Sequence, residues 1–141
     1  MNQIQAGRML TLAYFLKTQV KPQNFDMQEL VYVDYEDYEQ LRLKKPECGA
    51  AACAMGYMPV VFPRQWVWAH HGGVCRIDEA LPANSPSVWL AGLRWAEAAE
   101  KFFGIDEYEV DYLFGPDEQR TPKQEAEILE RFVESKGHTY A

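Results

Sequence analysis

Cys48, Cys53, His70, His71 and Cys75 are the residues of this chain whose types and order could do chemistry. Cys48-x4-Cys53 is followed, sixteen residues on, by His70-x4-Cys75, with His71 as an alternative ligand. Thiolates and imidazoles at such spacings can make a tetrahedral zinc site. The same residues admit a second chemistry. A thiol just ahead of a helix has its pKa lowered by the amide dipoles, and a histidine brought beside it completes a nucleophilic pair. The third reading needs no reaction: Cys48 and Cys53 pack as small buried hydrophobes where nothing larger fits. This last reading is favoured, because cysteine signatures transfer poorly between families. Zinc remains the weaker alternative: at i,i+5 on a helix the two thiols would point about 140° apart, from 100° per residue. Three cysteines are an odd number, which fits thiols in a reducing compartment better than a disulfide framework.

A second constellation is built from acids and tyrosines. Asp34, Glu36, Asp37 and Glu39 interleave with Tyr32, Tyr35 and Tyr38. The chain carries a formal net charge of −7, and from Glu97 to Glu134 twelve acids face four bases. Such runs are usually solvated helix faces. A chain this acidic has no electrostatic footprint for gripping phosphates, so direct nucleic-acid binding is not expected. Acids interleaved with aromatics can instead occupy a basic, nucleic-acid-binding groove on another protein, so the expected partner is a protein of basic or mixed surface. Neither a phosphate-binding glycine loop nor a nucleophile elbow is present. A binding role is therefore expected ahead of an enzymatic one, with no catalytic residue assigned.

The elements that must position these residues follow from the apolar spacing. Met9, Leu12, Ala13, Leu16 and Val20 recur at threes and fours and predict a helix over 3–19, ended before Pro22. Alternation around Val31 and Val33 suggests a short strand, followed by a helical turn or two. The alanine-rich stretch CGAAACAMGYMP at 48–59 reads as a short buried helix from Gly49 to about Met58, stopped by Pro59. Residues 65–78 read as a β-hairpin turning on Gly72-Gly73. Ser85-Pro86 starts a helix that runs to Phe103, apolar over most of its circumference and ended by Gly104. Asp106 and Glu109 make a capping box for a helix over 107–114, and Thr121-Pro122 starts the last, at 122–136. The expected class is mainly α (α+β): one compact helical domain over 1–141 with a small β-hairpin.

Three pieces of the chain resemble a known family: FDM at 25–27, CGAAACAMGYMP at 48–59 and AAEKFFGIDEYEVDYLFGP at 98–116. They look like the FDM, C-G-T-x-x-C-x-x-G-x-A and L-G-L-x-x-x-E-A-x-x-L-F motifs of a family of small uncharacterised proteins found in bacteriophages and some bacteria. Ala50 stands where that family has threonine, and Met58 where it has alanine, so chemistry needing the threonine hydroxyl is absent here. The family brings no activity with it. The resemblance implies a setting, a phage-type gene product acting in a bacterial host; by analogy with phage-encoded inhibitors of host defence, the acid and tyrosine cluster is expected to work by mimicry of nucleic acid.

The compartment expected is the bacterial cytoplasm. No run of about 18 apolar residues exists to span a membrane. Met9 to Leu16 is long enough for a signal-peptide core, but Lys17, Thr18 and Gln19 follow it without a small-residue cleavage site.

Overall fold

The computed structural model describes residues 1–25, 31–32, 51–68, 74–77, 95–115 and 120–137. The described residues are mostly helical. Helix α1 spans Gln3–Gln19. A short 3-10 turn at Pro22–Asn24 leads to strand β1, Val31–Tyr32, which pairs antiparallel with β2, Ala51–Ala52. A second 3-10 turn at Ala54–Tyr57 continues into α2, Met58–Val61. Strands β3, Trp66–Trp68, and β4, Val74–Arg76, form the hairpin. Helices α3, Trp95–Phe103, α4, Glu107–Phe114, and α5, Pro122–Ser135, complete the described elements. No described helix is long and apolar enough to cross a membrane.

Helix α1 begins where Asn2 and Gln5 exchange side-chain and backbone hydrogen bonds, both at 2.8 Å, satisfying two amide donors that a helix start leaves open. Its stripe of Ala6, Met9, Leu12, Ala13 and Leu16 is buried and lies against α5 and α3. The opposing stripe on α5 is Pro122, Ala126, Leu129 and Val133. Thr121 caps α5 and Asp106 caps α4, each with a reciprocal bond from the third helical residue. The helix boundaries thus follow from local capping chemistry, and the packing follows from the apolar stripes.

An aromatic cluster ties the hairpin to the helices. The Phe102 ring meets Phe62 at 4.9 Å, Phe103 at 5.2 Å and Trp66 at 5.6 Å between centroids, each edge to face. Arg8 of α1 reaches the same place: its guanidinium lies 4.2 Å from the Phe102 centroid and donates to the Phe102 carbonyl at 2.9 Å. That carbonyl is one of those the end of α3 leaves open. The chain leaves α3 through Gly104 at φ 65°, and the Ile105 amide bonds back to the Glu100 carbonyl at 3.0 Å. This is the left-handed termination glycine permits. Gly104→Ala is expected to cost about 1–2 kcal/mol, the penalty of a side chain in the left-handed region. A Cβ there would also press on the Gln5 side chain, which caps α1. Urea denaturation measures the loss, and Gly104→Asn should lose less, since asparagine tolerates that conformation better.

Two sequence expectations change. Residues 49–58 are not one helix. Ala51–Ala52 is paired in β2, Cys53 is extended, and helical backbone starts only at Ala54. Alanine's helix preference is worth under 1 kcal/mol per residue, and strand pairing overrides it. Pro59 also does not stop a helix; it lies in the first turn of α2, where its missing amide hydrogen costs nothing. The segment is buried as expected, from Cys53 to Pro59. The hairpin also has another register. A two-residue turn at Gly72-Gly73 would set His71 opposite Val74, whereas Val74 pairs with Trp68. Five residues, 69–73, therefore connect the strands, and they lie outside the described residues. So does the part of the expected 86–103 helix before Trp95.

Candidate functional site

Of the cysteine and histidine set, the structure places one side chain. Cys53 is a buried thiol, not half of a disulfide, in the same core cluster as Ala98, Ala99, Phe102 and Phe103. Burial pushes it up to about 11, against backbone hydrogen bonds from Gly56 and Met55. A thiol held that high stays protonated at neutral pH and is a poor nucleophile. The 140° argument against Cys48 and Cys53 as joint ligands lapses, because Cys53 precedes the helical turn instead of lying within one helix. Cys75 pairs through its backbone with Val67. Cys48, His70 and His71 lie outside the described residues. Among the described residues no three His, Cys, Asp or Glu side chains converge as a metal would require. Cys53→Ser should cost about 1–3 kcal/mol, because a hydroxyl is costlier than a thiol to bury beside Ala98, Ala99, Phe102 and Phe103 and the Gly56 and Met55 amides offset only part of that cost. Equal stability of that variant in urea would show that water reaches the site.

Tyr32, the first of the expected interaction residues, has its backbone in β1 opposite Ala51. Asp34, Tyr35, Glu36, Asp37, Tyr38 and Glu39 lie outside the described residues. A second acid and tyrosine surface, which sequence reading passed over, stands on α4. Tyr108 is 78% exposed and Tyr112 61%, one helical turn apart, with Glu107 and Asp111 exposed beside them. The helix is recognisable by its buried Val110, Leu113 and Phe114, and that buried face drew attention from the other one. The available signal was the interleaving itself: E-Y-E-V-D-Y at 107–112 repeats the composition of 32–39. Glu109, on the same helix, pairs with Lys136 of the chain following α5 at 2.6 Å, and that contact holds its carboxyl below the usual range.

The acidic run also hides one buried member. Glu125 is fully buried, and its Oε2 lies 2.8 Å from Arg120 Nη1. Arg120 donates in addition to the carbonyls of Leu113 and Tyr112, both at 3.2 Å, and so caps the end of α4. The pair joins α4 to the first turn of α5. Burial raises the Glu125 carboxyl to about 7, with Arg120 pulling the other way. Among the described residues its Oε1 is buried without a hydrogen-bond partner. Glu125 falls on the buried stripe of α5, one turn before Leu129. Through Arg120 this carboxylate joins two helices, and its charge also helps to raise the nearby Cys53 thiol. Tyr57, whose hydroxyl donates to the Asn24 carbonyl, likewise joins two segments, and burial raises its hydroxyl well above its ordinary value.

Among the described residues, the acids and tyrosines of α4 stand exposed, while the Cys53 thiol and the Glu125 carboxylate lie in the core. Compared with protein-family models, with curated proteins and with solved structures, the chain matches none.

Proposed function

We propose that this protein acts by binding another protein, one of basic or mixed surface, through acidic surfaces that carry tyrosines. The observation that carries the reading is the outward face of α4, where Tyr108 and Tyr112 stand exposed alongside Glu107 and Asp111. Tyrosine offers a large contact area for little lost side-chain freedom, and the acids steer a basic partner into place. The segment Tyr32, Asp34, Tyr35, Glu36, Asp37, Tyr38 and Glu39 offers the same chemistry a second time. The occupied surface on the partner is a basic groove of the kind that holds nucleic acid. The setting is a bacterial cytoplasm and the gene product of phage type, as the resemblance of the FDM, CGAAACAMGYMP and LFGP segments implies.

Photocrosslinking residues placed singly at Tyr35, Tyr38, Tyr108 and Tyr112 in a bacterial host should trap one protein, and added polyanion should compete with it. Binding to that protein should weaken with salt, since exposed charge reaches only about 8 Å at physiological ionic strength. Reversing Asp34, Glu36 and Asp37 to lysine should slow association, and Tyr35→Ala or Tyr108→Ala should speed dissociation, on the order of 2 kcal/mol for an anchor residue. A folded triple-lysine variant that associates as fast as the parent at low salt would place binding elsewhere than the 32–39 segment. Salt-independent binding would remove the acidic mechanism altogether.

A further inference from the structure

Resting on the binding role of α4 proposed above, we infer that Lys136, Arg120 and Glu125 are positioning residues: ion pairs at both ends of α4 fix its tyrosine-bearing face on α5 before a partner arrives. Helix α4 has eight residues. Isolated helices shorter than about 12–15 residues are marginal in water, so a helix this short keeps its shape through what holds it. Val110, Leu113 and Phe114 hold its inner side, and Tyr108 and Tyr112 stand exposed on the outer side. Each of the two tyrosines lies at one of the two attachments.

At the first turn, next to Tyr108, Glu109 Oε2 meets Lys136 Nζ at 2.6 Å. The other oxygen of that carboxylate accepts from the Asp106 amide at 3.0 Å, so Glu109 serves the start of α4 and the attachment to α5 together. Lys136 is itself held in place: its amide bonds to the carbonyls of Phe132 and Val133, and its ammonium lies 5.1 Å from the Phe132 centroid. At the last turn, the backbone of Tyr112 is the attached group. Arg120 donates to the carbonyls of Tyr112 and Leu113, and Glu125, in the first turn of α5, holds the guanidinium at 2.8 Å. Helix α4 therefore runs antiparallel to α5 with an ion pair at each end. A surface that is already ordered loses less freedom on binding, and that gain is separate from charge. Lys136 tells the two apart, because it is a cation at the margin of an acidic face. Its removal helps steering by a basic partner and harms positioning.

Hydrogen exchange of the whole chain, followed amide by amide, should show Lys136→Met exchanging about threefold faster across α4 with α5 unchanged, a modest factor because the pair is partly exposed. Lys136→Arg, which keeps the charge, should exchange like the parent. Arg120→Lys should speed the last-turn amides of α4, as far as Gly115, on the order of fivefold, because an ammonium cannot span two carbonyls and a carboxylate as the guanidinium fork does. The Lys136 variants keep the fold, since that side chain is exposed. The protein trapped through Tyr108 supplies the second readout. Lys136→Met should bind it about threefold more weakly than the parent, although the variant is one charge more negative. Lys136→Arg should bind as the parent does. Exchange that rises in α4 and α5 together, or in neither, overturns the inference, because the pair then serves general stability or nothing. Binding by Lys136→Met as tight as the parent's, or tighter, overturns it in favour of steering alone. If no protein is trapped at Tyr108 or Tyr112, the binding role of α4 falls and the inference with it, and the exchange rates tell that outcome from a failed clamp.

Discussion

Glu125→Ala is expected to cost about 3–5 kcal/mol of folding stability, the usual loss when one partner of a buried ion pair is removed. The loss comes from the partner left behind. Arg120 is itself almost wholly buried, and without the carboxylate its guanidinium charge loses the anion that neutralises it, while it still donates to the carbonyls of Leu113 and Tyr112. Removing both charges is a different experiment. Arg120→Met together with Glu125→Leu should recover most of the loss, because a buried pair replaced by apolar groups of similar volume is often neutral or stabilising. A remainder of about 1 kcal/mol is expected from the two carbonyls that lose a donor. Urea denaturation of the parent, the single and the double variant measures this. A Glu125→Ala loss below about 1 kcal/mol would show that water reaches Arg120 once the carboxylate is gone.

The same pair sets a pH dependence whose sign is unusual for a carboxylate. Burial raises Glu125 to about 7 in the folded chain, from 4.5. Between those values the folded state binds more protons than the unfolded state, so stability falls as pH rises. The burden on the fold is absent below pH 4.5, grows through the window and is constant above 7. Glu125→Gln should remove that slope, read as the difference between parent and variant melting curves from pH 5 to pH 7. A parent and variant with parallel pH profiles would mean that Arg120 keeps the carboxyl ionised throughout.

Phe102→Ala is expected to cost about 3–5 kcal/mol, as large-to-small changes of a buried aromatic ring do. Among the described residues, Phe62, Trp66, Phe103 and the guanidinium groups of Arg8 and, at 6.0 Å, Arg76 converge on that ring. They come from the segment after α2, from the hairpin, from α3 and from α1. The cavity therefore opens where several elements meet, and little can collapse into it. The near-ultraviolet circular dichroism of Trp66 should fall with the stability, since its ring loses the edge-to-face neighbour that orients it. A double-mutant cycle of Arg8→Met with Phe102→Leu should show a coupling of about 1 kcal/mol for a partly desolvated cation over a ring. Zero coupling would leave Arg8 with only its hydrogen bond to the Phe102 carbonyl.

The helices and their ends were legible because the forces that set them act over three or four residues. The stripe of Met9, Leu12, Ala13 and Leu16 gave α1 its span, Asp106 with Glu109 started α4, and Thr121-Pro122 started α5. Gly104 marked the end of α3 because one residue had to be left-handed there. What stayed hidden depended on partners distant in sequence. Ala51–Ala52 became strand because Val31–Tyr32 lay alongside, against alanine's own preference. The hairpin register was set by which side chains met α3, with Trp66 drawn onto Phe102, and Gly72-Gly73 did not decide it. Sequence by itself determined the net charge, the helical class and the caps, and it favoured a buried Cys53. Tertiary structure alone decided that Glu125, one acid among twelve in its run, is buried on Arg120, and that Tyr108 and Tyr112 face outward. Burial is a property of what packs against a residue, and a carboxylate looks the same in sequence whether it meets water or a guanidinium.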